Sequence, residues 1–142
     1  MVSAINTYLH FADQAEEAFN FYKSIFGGEF LTLQRYQDAP GTNVTEAEKN
    51  LILHISLPIG KGNLLMASDS VKDMHGWSLK PGNNFSLSID VESKSEADRI
   101  HSALSKGGSV TQPMADQFWG AYFGMCTDKF GIQWMIGYTP PK

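Results

Sequence analysis

The chain contains one helix pattern twice, and this internal repeat constrains its fold more than any other feature. Each copy is marked by a capping residue, a glutamate three positions later and a pair of glycines. These residues are Asp13, Glu16 and Gly27-Gly28 in the first copy and Ser93, Glu96 and Gly107-Gly108 in the second. Every member is shifted by 80 positions. Because self-similarity at a fixed period indicates repeated structural units, we expect two copies of one β-α-β unit in a pseudo-symmetric fold.

The segment before each helix resembles its counterpart at a different spacing. Asn6 begins the segment NTYLHF, and Asn84 begins the similar segment NFSLSI 78 positions later. The difference predicts a two-residue insertion or deletion before the second helix. Alternating apolar and polar residues are typical of half-buried strands, and they extend each copy to β-α-β-β-β. The predicted strands are 3–11, 28–37, 50–57 and 63–68 in the first copy and 84–91, 109–112, 118–127 and 132–138 in the second.

These elements predict one domain of the α+β class. The length of 142 residues suits a single domain. We assign residues 3–70 to the first module, residues 82–138 to the second and residues 71–81 to the connection. We expect the paired modules to form curved sheets around a cup.

Composition excludes several classes of function. The net charge is −4 and the eleven Lys and Arg residues are scattered, which argues against nucleic-acid binding, since phosphates need a basic face. No apolar run approaches the ~20 residues of a membrane span. The single cysteine, Cys126, excludes an internal disulfide and fits a reducing compartment. With no basic-then-apolar signal pattern at the start, we expect a cytoplasmic protein without a membrane partner.

One face of each predicted sheet is left without a helix. Each helix must bury its apolar stripe against one face, so the opposite face, here called the free face, remains. The predicted free-face residues mix aromatic, polar and thioether side chains, which fits a small-molecule cup. Those we expect to contact a ligand are Tyr8, His10, His54, Met66, Trp119, Phe123 and Met135. The alternative role of the four large ones, Tyr8, Trp119, Phe123 and Met135, is packing between modules or between subunits.

Motifs along nearly the whole chain are similar to those of one known family. They are Tyr8-Leu-x-Phe11, Ala15-Glu-Glu-Ala-x-x-Phe21-Tyr22, Phe26-Gly27-Gly28, Leu65-Met66-x-Ser68-Asp69, Gly107-Gly108, Asp116-x-Phe118-Trp119-Gly120 and Asp128-x-Phe130-Gly131-x-x-Trp134. With the doubled β-α-β-β-β pattern, the chain resembles the PhnB-like group of the vicinal oxygen chelate superfamily. That superfamily includes glyoxalase I, extradiol dioxygenases and bleomycin-resistance proteins.

The resemblance implies four positions at which the superfamily's metalloenzymes carry ligands, usually His or Glu. The matching residues here are Asn6, Met66, Asn84 and Met135. Two amides and two thioethers offer neither the carboxylates that hard divalent ions prefer nor the imidazole, carboxylate or thiolate groups that zinc prefers. We therefore predict no metal at these positions and no cofactor.

Three functions follow as hypotheses. The first is a metal-free protein that binds a small, partly aromatic or apolar molecule. The second is a metal-dependent lyase, isomerase or dioxygenase, with His10 and His54 as displaced ligands. The third is a non-catalytic interaction module whose cup is closed by another subunit. A homodimer is expected in each case, because dimers are the commonest homo-oligomers and the superfamily often pairs chains.

The names of some PhnB-like proteins suggest a ubiquinone methyltransferase or a role in phosphonate metabolism. The sequence predicts neither. It lacks the strand, Gly-rich loop and helix that would hold a nucleotide-like cofactor. It also lacks the Arg or Lys cluster that a phosphonate would favour.

Other polar and reactive residues have simpler structural roles in this interpretation. His75 is expected to be exposed in the connection, and His101 to lie at the edge of the second helix. Cys126 is expected to face the core as a small apolar residue. Asp69 and Asp128 fall at strand ends, where turn or capping roles are expected.

Overall fold

The chain folds into two compact units, 1–80 and 81–142. A computed structural model describes residues 1–41, 44–71 and 78–141. His75 and part of the assigned connection, residues 72–77, lie outside the described residues. Of the helices in the described ranges, none has the length and apolar character needed to cross a membrane.

Both units have the predicted β-α-β-β-β order. The first contains β1 (Thr7–Phe11), α1 (Ala15–Phe26), β2 (Thr32–Arg35), β3 (Ile52–Ile59) and β4 (Asn63–Asp69), with short 3-10 turns at Tyr36–Asp38 and Glu46–Glu48. The second contains β5 (Leu87–Asp90), α2 (Lys94–Ser105), β6 (Ser109–Asp116), β7 (Tyr122–Thr127) and β8 (Gln133–Tyr138).

Each unit forms one four-stranded mixed sheet, and the two sheets have equivalent topology. The strand orders are β1-β4-β3-β2 and β5-β8-β7-β6. The first strand of each unit runs parallel to the last, and the remaining neighbours are antiparallel. The predicted α+β fold of the glyoxalase and bleomycin-resistance type is confirmed.

The strand register corrects the predicted spacing of the repeat. Tyr8 pairs with Met66 in the first sheet, and Ser88 pairs with Met135 in the second. With Met66 and Met135 equivalent, the counterpart of Tyr8 is Ser88, 80 positions later. The first strands therefore keep the offset of the capping residues, and the predicted two-residue insertion or deletion is wrong. The similarity between the segments that begin at Asn6 and Asn84 is out of register by two residues.

The two helices begin in different ways. The Ser93 hydroxyl accepts a hydrogen bond from the Glu96 backbone N–H at 3.1 Å, which confirms the predicted cap of α2. The predicted Asp13 cap of α1 is wrong, since α1 begins after Gln14 and makes no hydrogen bond to a capping side chain there. Instead, the Ala15 N–H donates to the Asp69 carboxylate at 2.9 Å. The first helix is thus capped by the end of β4.

Each core lies between the helix and one sheet face. Alternate residues of the strands point toward the helix, so Leu9 and Phe11 of β1 are buried while Tyr8 and His10 are exposed. The apolar stripe of α1 covers this face with Ala15, Ala18, Phe19, Tyr22 and Ile25, all buried. In the second unit Ala97, Ile100, His101 and Leu104 of α2 are buried. The opposite face of each sheet is the free face.

The strand predicted at 118–127 is shorter than expected. β7 begins only at Tyr122, because the preceding residues form a tight turn. In that turn the Gly120 N–H donates to the Gln117 carbonyl at 3.0 Å, and Gly120 has a φ of 99°. Glycine reaches this φ without the steric penalty of a β-carbon. Trp119 is therefore a turn residue beside the sheet, and its predicted place on a strand is wrong.

Candidate functional site

Three predicted ligand-contact residues lie together on the first free face. The Tyr8 and His54 rings are stacked with centroids 5.6 Å apart and an interplanar angle of 28°. The Tyr8 hydroxyl also hydrogen-bonds His54 Nδ1 at 3.2 Å. The His10 ring centroid lies 5.2 Å from that of Tyr8. We call these three residues the Tyr8 cluster. Tyr8 remains 39% exposed, so the cluster is accessible.

Met66 lies directly beside this cluster. It pairs with Tyr8 on one side and with Ser56 on the other, and Ser56 pairs in turn with Thr32. Paired residues point to the same side of a sheet, so these four form one row across the free face. Met66 is partly exposed, whereas Ser56 is buried. A thioether and a hydroxyl thus border the aromatic rings.

The other three predicted contact residues lie in the second unit. The Trp119 ring is 6.0 Å from the Phe123 ring and 5.1 Å from the Phe118 ring, in edge-to-face geometry. We call Phe118, Trp119 and Phe123 the Trp119 cluster. Phe123 pairs with Gly137, two residues after Met135 on β8, so Met135 and Phe123 share the free face. Phe118 is 99% exposed and Trp119 is 56% exposed.

The residues at the four implied metal positions do not fit a metal site. Asn6 and Asn84 are exposed and precede their strands, while Met66 and Met135 lie on central strands. The corrected register makes Ser86 the counterpart of Asn6, which adds no imidazole or carboxylate. Within residues 1–41, 44–71 and 78–141, no group of three or more His, Cys, Asp or Glu side chains could hold a metal ion.

Asp69 and Asp128 have the structural roles expected from their places at strand ends. The Asp69 carboxylate accepts hydrogen bonds from Ala15 and Ile52, and burial raises its pKa. The Asp128 carboxylate accepts from the backbone of Phe130 and Ile132 at 2.8 and 3.0 Å. It also accepts from the Trp134 indole at 2.8 Å, a contact 6 residues apart in sequence.

The two remaining single candidates are buried. Cys126 faces the core as predicted, and burial raises the pKa of its thiol to about 11. A thiol in that state is a poor nucleophile at neutral pH. His101, expected at the helix edge, is instead buried, and its Nε2 lies 3.1 Å from the Met125 carbonyl oxygen.

Sequence reasoning did not find the ion pair that holds the edge of the first sheet. The Arg35 guanidinium donates to both oxygens of Glu16, at 2.9 and 2.7 Å, and to the Asn50 carbonyl. These hydrogen bonds lower the pKa of Glu16 and raise that of Arg35. The sequence pattern assigned Glu16 to a capping box. No local pattern indicated its pairing with Arg35, 19 residues away.

Comparison with known proteins agrees with this architecture. The family described as 3-demethylubiquinone-9 3-methyltransferase matches residues 3–137. The chain is similar to protein PA1353 from Pseudomonas aeruginosa, with 36% identity, a TM-score of 0.86 and coverage of 97% of this chain and 98% of that one. It is also similar to the PhnB protein from Bacillus cereus, with 29% identity, a TM-score of 0.75 and coverage of 96% and 100%.

A more distant structure shares the fold alone. A glyoxalase/bleomycin resistance protein from Albidiferax ferrireducens T118 is 15% identical, with a TM-score of 0.63 and coverage of 98% of this chain and 100% of that one. The family match spans nearly the whole chain and agrees with the motifs read from the sequence. The chain therefore belongs to the 3-demethylubiquinone-9 3-methyltransferase family, the PhnB-like group, and has the fold of glyoxalase and bleomycin-resistance proteins.

Proposed function

We propose that this protein binds a small, partly aromatic or apolar molecule on the free faces of its sheets, without a metal ion. The observation that carries the proposal is the Tyr8 cluster beside Met66. The Tyr8 and His54 rings are stacked and the His10 ring is tilted by 39° to Tyr8, so the accessible rings offer an extended surface for an aromatic or apolar molecule. Aromatic contact adds about 0.5–1.5 kcal/mol to the free energy of area burial.

The Trp119 cluster supports the same chemistry in the second unit. Phe118, Trp119 and Phe123 present neighbouring aromatic rings, and Phe123 shares the free face of the sheet with Met135. Monomeric proteins seldom leave large contiguous apolar patches exposed without a functional reason. The proposal therefore assigns ligand contact to Tyr8, His10, His54 and Met66 and, in the second unit, to Trp119, Phe123 and Met135.

The proposal includes a cytoplasmic homodimer. The nearly full exposure of Phe118 gives a further apolar surface that a second subunit could cover. The single buried cysteine is compatible with a reducing compartment. Dimer formation and ligand binding are separate parts of the proposal, and each has its own measurement.

Native mass spectrometry of the purified protein, repeated after denaturation, tests the proposal first. We expect a dimer mass without metal, and an organic adduct that denaturation releases. A stoichiometric metal ion that is lost in the His10→Ala/His54→Ala double variant would refute metal-free binding and favour the metal-dependent enzyme. A monomer mass at micromolar concentration would refute the proposed dimer and leave the ligand-binding part of the proposal standing.

Binding of 2-naphthol, followed by its fluorescence, tests the assigned contacts. We expect Tyr8→Ala, Trp119→Ala or Phe123→Ala to weaken binding about 3- to 10-fold, the equivalent of one aromatic contact. Leu31→Ala is the matched control, because Leu31 is also an exposed apolar residue but lies outside both clusters. Unchanged affinity in all three aromatic variants, each confirmed as folded, would refute the proposed surfaces.

A further inference from the structure

Ser56 lies on the first free face and has an unusual environment. Its side chain is 1% exposed, and its Oγ has no hydrogen-bond partner among the described residues. Its backbone carbonyl, by contrast, accepts from the Leu31 N–H at 3.0 Å. A buried hydroxyl without a partner carries a desolvation penalty that an alanine or a cysteine would avoid. Since native proteins satisfy most buried polar groups, this hydroxyl indicates a partner that the described residues do not supply.

The position of Ser56 connects it to the Tyr8 cluster. Tyr8, Met66 and Ser56 occupy adjacent places in one row across β1, β4 and β3. Neighbouring strands are about 4.8 Å apart, so the backbones of Tyr8 and Ser56 are separated by roughly 10 Å. Met66 lies between them. His54 is two residues from Ser56 on the same strand and therefore points to the same side of the sheet. A flat molecule one or two rings wide, placed over Met66, would reach the rings at one end and lie over Ser56 at the other. For its oxygen to reach Ser56 Oγ, the side chains that cover this buried hydroxyl must shift.

Charge at this face favours a neutral ligand. Arg35, the only arginine in residues 1–80, is held by both carboxylate oxygens of Glu16 on the helix side. Of the lysines in the described part of this unit, Lys23 and Lys49 are paired with Glu29 and Glu46, Lys61 lies in the turn between β3 and β4, and Lys80 lies at the end of the unit. An anion over Met66 would face a hydroxyl, a thioether and aromatic rings. The row of Tyr8, Met66, Ser56 and Thr32 contains no Lys or Arg that could pair with it.

From these observations we infer that Ser56 is a specificity-determining residue that recognises one hydroxyl or carbonyl oxygen of a neutral, planar, aromatic ligand seated over Met66. This inference rests on the proposed function and adds the chemical class of the ligand. The Tyr8 cluster supplies contact with the ring system. The Ser56 hydroxyl distinguishes an oxygen-bearing ring from the plain hydrocarbon.

Three probes with the same two-ring skeleton test the inference: naphthalene, 2-naphthol and 2-naphthoate. We expect the wild-type protein to bind 2-naphthol about 3- to 10-fold more tightly than naphthalene, the effect of one neutral hydrogen bond. The anionic 2-naphthoate should bind more weakly than 2-naphthol. In Ser56→Ala the preference for 2-naphthol should disappear while the affinity for naphthalene is kept.

Thermal unfolding of the same variant separates recognition from a structural role. Because Ser56 Oγ makes no hydrogen bond to residues 1–41, 44–71 or 78–141, Ser56→Ala should unfold at the same temperature as wild type or higher. Ser70→Ala is the matched control, since Ser70 Oγ is also buried with no partner in the described part of the chain but lies outside the row of Tyr8, Met66 and Ser56. It should leave the 2-naphthol preference unchanged.

The outcomes distinguish this inference from the function on which it rests. If neither naphthalene nor 2-naphthol binds, the proposed function fails and Ser56 recognition fails with it. If both bind equally to the wild type, or if Ser56→Ala keeps the preference, the protein still binds apolar molecules but the assignment of Ser56 is overturned. Tighter binding of 2-naphthoate would overturn the neutral ligand class.

Discussion

Replacing Asp69 tests the most specific structural claim about the first unit. Asp69 is buried, and its two carboxylate oxygens accept the backbone N–H groups of Ala15 at 2.9 Å and Ile52 at 2.8 Å. Asp69→Ala leaves two buried donors unpaired, at about 1–3 kcal/mol each. Removing the desolvated carboxylate offsets part of this loss. We expect the free energy of unfolding to fall by about 2–4 kcal/mol.

Asp13→Ala is the matched control, because the sequence pattern assigns the helix cap to Asp13. Asp13 is exposed and lies one residue before Gln14, the N-cap residue of α1, so we expect a change within about 0.5 kcal/mol. Asp69→Asn should be intermediate, since an amide has one acceptor oxygen for the two donors. Urea unfolding at 25 °C, followed by circular dichroism, measures all three variants. A loss in Asp13→Ala as large as that in Asp69→Ala would refute the reasoning.

Three further predictions follow from backbone packing and from burial. Gly108→Ala should destabilise the second unit strongly, because its β-carbon would overlap the Thr127 carbonyl oxygen. Gly82→Ala is the control and should be tolerated, because the space around Gly82 is open. Equal urea midpoints for the two variants would contradict this prediction. The Cys126 thiol, with a pKa of about 11, should react with iodoacetamide at pH 8 only after unfolding; rapid labelling of the folded protein would refute its inertness. Burial raises the pKa of Asp69, so the folded state binds that proton more tightly than the unfolded state. The stability of wild type relative to Asp69→Asn should therefore be greatest below the ordinary aspartate pKa of about 3.9 and should fall as the pH rises through the raised pKa of Asp69. A relative stability that increases with pH over this range would contradict the prediction.

Local patterns in the sequence predicted the elements well where their stabilising contacts are also local. Ser93 caps α2 through Glu96, three residues away, as its pattern indicates. The order of strands and helices in both units was predicted from alternation, helical stripes and glycines. The core-facing place of Cys126 also followed from alternation along its strand.

Predictions failed where a distant residue, a tight turn or the pairing of strands overrides the local sequence pattern. Asp13 has the spacing of a cap, but Asp69 reaches the start of α1 from 54 residues away. Trp119 continues an alternating pattern, yet the turn closed by Gly120 takes it out of the strand. The apparent 78-residue offset came from similar side chains, and only strand pairing shows the register. The grouping of Tyr8, His10 and His54 followed from strand alternation. By contrast, only the structure shows that Ser56 Oγ has no hydrogen-bond partner among the residues it describes.

The parallel pairing of the first and last strands has a consequence for how each unit folds. Thr7 pairs with Leu65, 58 residues later, and Leu87 with Trp134, 47 residues later. Loop-closure entropy grows only with the logarithm of length, so these two closures differ by about 0.2 kcal/mol. During synthesis β1 cannot pair within its sheet until β4 has been made, and β5 cannot pair until β8 has been made. Each sheet is therefore completed by its final strand, and both units carry nearly the same entropic barrier to that last pairing.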